Sequence, residues 1–155
     1  MIVLINIHST ETNLNKKIMS EKLYTAEVTA IGGRDGAVKS SDGVLNFEVR
    51  KPESMGGKGG ATNPEQLFAA AWSSCFLGAM GAVSEKDNTD LKDTQLTVKI
   101  SFNSEGNSSF LSAEIEAHVP SLDNEQTQAL IEKAHRVCPY SKATRGNIET
   151  SLKAV

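Results

Sequence analysis

The sequence predicts an α+β domain of mostly antiparallel sheets, with a long buried central helix and a second helix. Three observations predict it. Segments at 24–30, 45–49, 96–102 and 111–119 alternate apolar and polar residues with the two-residue period of a half-buried strand. An alanine-rich run from 65 to about 83 is apolar nearly all round, as a helix buried on several sides must be. "SLDNEQTQALIEKAHRV" carries the 3.6-residue period of a second, one-sided helix. The order reads ββ-α-ββ-α-β, and helices that cover sheet faces make it α+β.

Residues 1–20 stand apart. Residues 2–5 are apolar, but no basic region precedes them and no small-residue cleavage site follows. They read as a loosely ordered N-terminal extension from an upstream start, before a single domain over 21–155. An edge strand at 2–7 is the other reading.

Tyr24, Ala26, Val28 and Ala30 open the first strand, and "GGRDG" turns the chain. Leu45, Phe47 and Val49 face one way in the second strand, and "SMGGKGGAT" is a flexible loop. "NPEQ" then starts the central helix. Asn63 caps it, Pro64 suits the first helical position, and Gln66 stands where a capping box places Glu or Gln. Small residues dominate that helix, which lets another helix approach closely, as in an intertwined dimer. Leu96, Val98, Ile100 and Phe102 form the inner face of the third strand; Leu111, Ala113, Ile115, Ala117 and Val119 form that of the fourth. "NSEGNSS" joins the two as a hairpin. Asp123 and Gln126 make a capping box for the second helix, whose stripe is Thr127, Leu130, Ile131 and Ala134. Cys138 continues the stripe, Pro139 discourages further helix, and residues 148–154 read as a last strand.

Composition excludes several classes. The chain has 155 residues and a net charge of −3, with no Lys/Arg cluster to face phosphates, so no nucleic-acid partner is expected. No apolar run reads as a membrane span, so no membrane partner is expected either. Two cysteines are too few for a disulfide scaffold, which points to the cytoplasm and to thiols that are redox-active or incidental.

Those two thiols are the candidates for chemistry. Cys75 lies about three turns into the central helix, beyond the useful reach of its N-terminal dipole. As a plain residue it is a small buried hydrophobe; as a thiolate it needs a cation to lower its pKa. Cys138 is at a helix end, too far along the chain for a Cys-x-x-Cys motif, so any pairing depends on tertiary approach. His135-x-x-Cys138 has ligand-like spacing, with Cys75 as a third ligand, but one pair and a distant thiol is a weak metal signal. No metal and no cofactor is expected. Arg34 lies between glycines that allow close approach, and Glu65 lies in the first helical turn, where the dipole favours a carboxylate in any case.

Three segments together resemble the organic hydroperoxide resistance (Ohr) branch of the Ohr/OsmC family: "TAIGGRDG", "TNPEQLFAAAWSSCFLGA" and "VCPYSKATRGNI". The resemblance runs from about Tyr24 to Val155. It implies an OsmC-like fold, an intertwined homodimer with sites at the subunit interface, and thiol-dependent reduction of organic hydroperoxides to alcohols. It implies Cys75 as the peroxidatic cysteine, Cys138 as the resolving one, and Arg34 and Glu65 as the residues that activate the thiol. The disulfide would be re-reduced by a dithiol, either a lipoylated protein or dihydrolipoamide. Phe68, Trp72, Phe76 and Met80 are expected to favour alkyl or lipid hydroperoxides. An OsmC-type peroxidase of broader range and a non-catalytic thiol sensor or stress protein are the alternatives.

Glu65 and Cys75 are ten residues apart, which is about 15 Å along one straight helix. Arg34 reaches roughly 6–7 Å. The expectation is that Arg34 and Glu65 of one subunit serve the thiol of the other.

Overall fold

The computed structural model describes residues 21–155; the expected N-terminal extension over 1–20 lies outside them. Two three-stranded sheets frame the chain. The first joins β1 (Val28–Ile31), β2 (Gly36–Ser40) and β3 (Asn46–Val49), all antiparallel, in that order. The second joins β4 (Gln95–Glu105), β5 (Ser108–His118) and β6 (Glu149–Ala154). Between them in sequence runs α1 (Pro64–Ser84), and α2 (Asn124–Val137) and α3 (Pro139–Thr144) precede β6.

β1 is shorter than the alternation suggests, and β2 was not expected. The turn between them places Gly32 and Gly33 at φ 78° and 61°, a backbone that other residues rarely adopt. Gly36 then passes so close that a Cβ there would meet the Ile31 carbonyl oxygen at 1.9 Å. A strand can therefore begin immediately after the turn, where "GGRDG" reads only as a break.

The expected hairpin forms as β4–β5, with Val98 opposite Ile115 and Ile100 opposite Ala113. β6 is the exception to antiparallel pairing. It lies parallel to β5, with Leu152 beside Ile115, because α2 and α3 carry the chain back across the sheet before it pairs.

Both helix starts are chemical. Asn63 accepts from the Gln66 N–H at α1, although the Gln66 side chain accepts from Thr62 rather than closing the box. Asp123 and Gln126 make both halves of the capping box at α2. Pro139 does not end the helical path but restarts it, as the first residue of α3. A proline has no N–H to lose at that position, and its fixed φ already suits a helix.

The core lies between α1, α2 and the second sheet. Trp72, Phe76, Met80, Ile115 and Ile131 are each 0% exposed and pack together there. By length and composition α1 with its following turn, residues 64–87, is apolar enough to cross a bilayer, contrary to the sequence expectation. Alanine and glycine spread that hydropathy over many small residues, so no single run stands out. Here one face of the helix lies on β4 and α2. The opposite stripe of Ala70, Ser74, Leu77, Gly78 and Ala82 is exposed, and nothing lies within 4 Å of a Cβ built on Gly78.

The first sheet has no extensive packing against the helices or the second sheet among the described residues. A parallel bridge between Val49 and Thr62 and an ion pair from Arg34 to Glu65 link it to the rest.

Candidate active site

Two of the sequence-predicted residues meet as thiols. Cys75 is half-buried on α1, and Cys138 is fully buried between α2 and α3. Their sulfurs are 3.7 Å apart, and both are free. Closing to a disulfide requires about 2 Å between them, a small movement.

Cys138 owes its position to a change of helix. It is the last cap of α2 and the first cap of α3, with ψ 125° breaking the helical path. Its N–H donates to the Ala134 carbonyl, and its own carbonyl accepts from the Lys142 N–H. Pro139 donates nothing, so the first free amide of α3 is that of Tyr140, and it faces the Cys75 sulfur. That amide favours the thiolate. Burial, the stronger influence, pushes the Cys75 thiol up, and the neighbouring Cys138 thiol pushes it the same way. Arg34 is not among the groups that act on it.

The other two predicted residues form a second cluster. Arg34 projects from the β1–β2 turn and Glu65 from the first turn of α1. Nη1 donates to Oε2 at 3.0 Å and Nη2 to Oε1 at 2.6 Å, the two-pronged geometry that guanidinium and carboxylate share. The Arg34 hydrogen bonds hold the Glu65 carboxyl below the usual carboxylate range, and Glu65 in turn raises Arg34. The guanidinium carbon also stands 5.0 Å from the centre of the Phe102 ring. A cavity of about 390 Å³ opens beside Glu65, with Met55, Ala69, Val98, Ile100 and Phe102 in its wall.

The chain thus assembles a thiol pair and an Arg–Glu pair, and does not bring the two pairs together. Most of the expected substrate wall lies in the core of the chain. Trp72, Phe76 and Met80 have no surface to offer a substrate at 0% exposure, and Phe68 is half-buried against Trp72 and Tyr140. An apolar face at helical spacing marks what is buried; it does not separate core from cavity lining. The cavity beside Glu65 is lined by residues from the 52–55 turn, from α1 and its cap, and from β4.

His135 is not a ligand in this arrangement. Its ring centre is 6.3 Å from that of Phe76, and its Nδ1 is buried without a partner. Burial, then the Arg145 cation, lowers its pKa. Among the described residues no group of three His, Cys, Asp or Glu is placed to hold a metal.

Sequence reasoning missed two contributors beside the thiols. One is the Tyr140 amide, signalled only by the proline before it. The other is a buried hydrogen bond from the Trp72 indole to the Ser141 hydroxyl, 3.2 Å long. A lone tryptophan in a core needs such a partner, but nothing in the sequence names it.

Comparison with known proteins agrees with this architecture. A family model described as OsmC-like protein matches residues 57–153. The organic hydroperoxide resistance protein of Xanthomonas axonopodis pv. citri is 44% identical over 132 residues, covering 84% of this chain and 93% of that protein. The crystal structure of an organic hydroperoxide resistance protein from Elizabethkingia anophelis superposes with a TM-score of 0.80 at 46% identity, covering 87% of this chain and 98% of that one. That of OhrB from Bacillus subtilis gives 0.78 at 38% identity, covering 86% and 100%.

Proposed function

The chain belongs to the Ohr branch of the Ohr/OsmC family, and from that premise we propose that it is a thiol-dependent peroxidase that reduces organic hydroperoxides to alcohols. The observation that carries the reading is the 3.7 Å approach of Cys138 to Cys75.

The thiolate of Cys75 attacks the outer oxygen of the hydroperoxide. The O–O bond breaks, the alcohol leaves with a proton, and Cys75 becomes a sulfenic acid. Cys138 then attacks that sulfur, a disulfide forms and water leaves. A dithiol, from a lipoylated protein or dihydrolipoamide, reopens the disulfide by exchange and is itself oxidised. A reducing compartment, the cytoplasm, suits this cycle.

Activation is the demanding step, because the Cys75 thiol in one chain is raised rather than lowered. The cation that would lower it is Arg34, already oriented by Glu65. In this reading Arg34 and Glu65 of one subunit act on Cys75 of the partner subunit in an intertwined homodimer. Two features support the dimer: the first sheet lacks extensive packing of its own, and the small-residue stripe of α1 is bare. The apolar part of the cavity wall beside Glu65, Met55, Ala69, Val98, Ile100 and Phe102, supports a preference for alkyl hydroperoxides over hydrogen peroxide.

The test is intact mass and turnover. Reduced protein given one equivalent of cumene hydroperoxide is expected to lose two hydrogens. With dihydrolipoamide and excess peroxide it is expected to turn over repeatedly. An unchanged mass would sink the peroxidase reading; oxidation without turnover would favour a thiol sensor. Equal rates with hydrogen peroxide would favour the broader OsmC-type activity.

A further inference from the structure

We propose that the Trp72–Ser141 hydrogen bond is a brace that holds Cys138 against Cys75, and that Trp72 and Ser141 are positioning residues for the resolving step. The inference rests on the peroxidase reading and goes beyond it.

The geometry is a two-rung ladder. Trp72 is one helical turn before Cys75 on α1, and Ser141 is three residues after Cys138 at the start of α3. The two segments therefore run antiparallel, joined by the thiol approach of 3.7 Å and the indole–hydroxyl bond of 3.2 Å. Trp72, Ser141 and Cys138 are each 0% exposed.

The connection from Ser141 back to Cys138 is stiff. Pro139 has a ring-fixed φ, and the Cys138 carbonyl is bound to the Lys142 N–H at 2.9 Å. A shift of Ser141 is thus passed to the Cys138 backbone. Removing the hydroxyl leaves the buried indole N–H without this partner, which favours displacement of the indole or of α3. Either displacement widens the sulfur gap.

The consequence is chemical. The Cys75 sulfenic acid has two fates: attack by Cys138 with loss of water, or oxidation by a second hydroperoxide to the sulfinic acid with release of another alcohol. The first depends on the sulfur gap and the second does not. The brace therefore sets the partition between a reversible disulfide and irreversible overoxidation.

The experiment treats reduced full-length protein with excess cumene hydroperoxide and reads the ratio of sulfinic (two oxygens gained) to disulfide (two hydrogens lost) product by intact mass. Ser141→Ala removes the acceptor, and Trp72→Phe removes the donor while keeping an aromatic ring. Ile131→Val is a control of comparable destabilisation in the same core, and it leaves both rungs of the ladder intact. The ratio is expected to rise roughly tenfold in both brace variants, the scale of a lost buried hydrogen bond, and to stay at the wild-type value in Ile131→Val. Thermal unfolding identifies which brace variants are folded, and one folded variant suffices. A wild-type ratio in a folded Ser141→Ala or Trp72→Phe protein overturns the proposal, as does an equal rise in Ile131→Val. Failure of the wild type to oxidise at all is a separate result, against the peroxidase reading itself.

Discussion

Arg34 and Glu65 meet across 31 positions of chain in a two-pronged ion pair, 3.0 and 2.6 Å, with a side-chain exposure of 41% for the arginine and 14% for the glutamate. The pair ties the first sheet to the start of α1 and fixes the guanidinium beside Phe102, without acting on its own chain's Cys75. Its worth for stability is small, within about 1 kcal/mol, because solvent screens the arginine. Its worth in the proposed reaction is orientation. Arg34→Lys keeps the charge and loses the fork, so hydroperoxide consumption is expected to fall about tenfold or more with little change in melting temperature. Glu65→Gln is expected to fall in the same direction. Initial rates with cumene hydroperoxide beside thermal melts check both.

The same pair has a pH window. The Glu65 carboxyl is lowered by Arg34, so its contribution is present at and above the ordinary glutamate pKa and is lost as pH falls through the depressed folded value. Activity at neutral pH is expected to be indifferent to this group. Titration of the Glu65 carboxyl by NMR, with and without Arg34→Ala, is expected to show the midpoint rising in the variant.

Alkylation reads the cation directly. Without Arg34 the Cys75 thiol keeps the raised pKa that burial imposes, whereas the proposed dimer lowers it. The pH midpoint of Cys75 alkylation by iodoacetamide, measured in Cys138→Ser protein, is expected to move up by one or more pH units in Arg34→Ala. An unmoved midpoint would mean that Arg34 does not serve this thiol.

The two cysteines are expected to fail differently. Cys75→Ser removes the attacking atom and abolishes hydroperoxide consumption. Cys138→Ser leaves one attack, after which Cys75 progresses to the sulfinic acid and stops. Mass spectra at increasing peroxide separate the two.

Gly78 offers a test of assembly. Nothing in one chain opposes a side chain there, and within a lone helix a larger residue should gain up to about 1 kcal/mol over glycine. In a dimer packed on that stripe, Gly78→Leu is expected to shift sedimentation toward monomer and to lose activity with it. A stable, active dimer would place the interface elsewhere.

Much of the fold was legible because local chemistry wrote it. Asn63, Pro64, Asp123 and Gln126 marked helix starts, and strict alternation marked β4 and β5. β2 escaped because turn residues bracket five positions, and α3 escaped because a proline that ends one helix also begins another. At the site, the residue types were legible from the resemblance, but their pairing was not written in spacing. Cys75 and Cys138 approach over 63 positions, and no periodicity encodes that. Trp72, Phe76 and Met80 were read as a substrate wall because an apolar stripe looks the same whether its neighbour is a cavity or Ile131.

The parallel seat of β6 beside β5 has a consequence for synthesis. The strand that completes the second sheet is made last, and the Val155 N–H donates to the Ala117 carbonyl at 3.0 Å. Cys75 leaves the ribosome 63 residues ahead of Cys138, an interval of roughly 3–13 s at ordinary elongation rates. During that interval the nascent chain carries the Cys75 thiol without Cys138, its proposed resolving partner. In the proposed cycle, a hydroperoxide that reaches the nascent chain would oxidise Cys75 before Cys138 is there to close the disulfide.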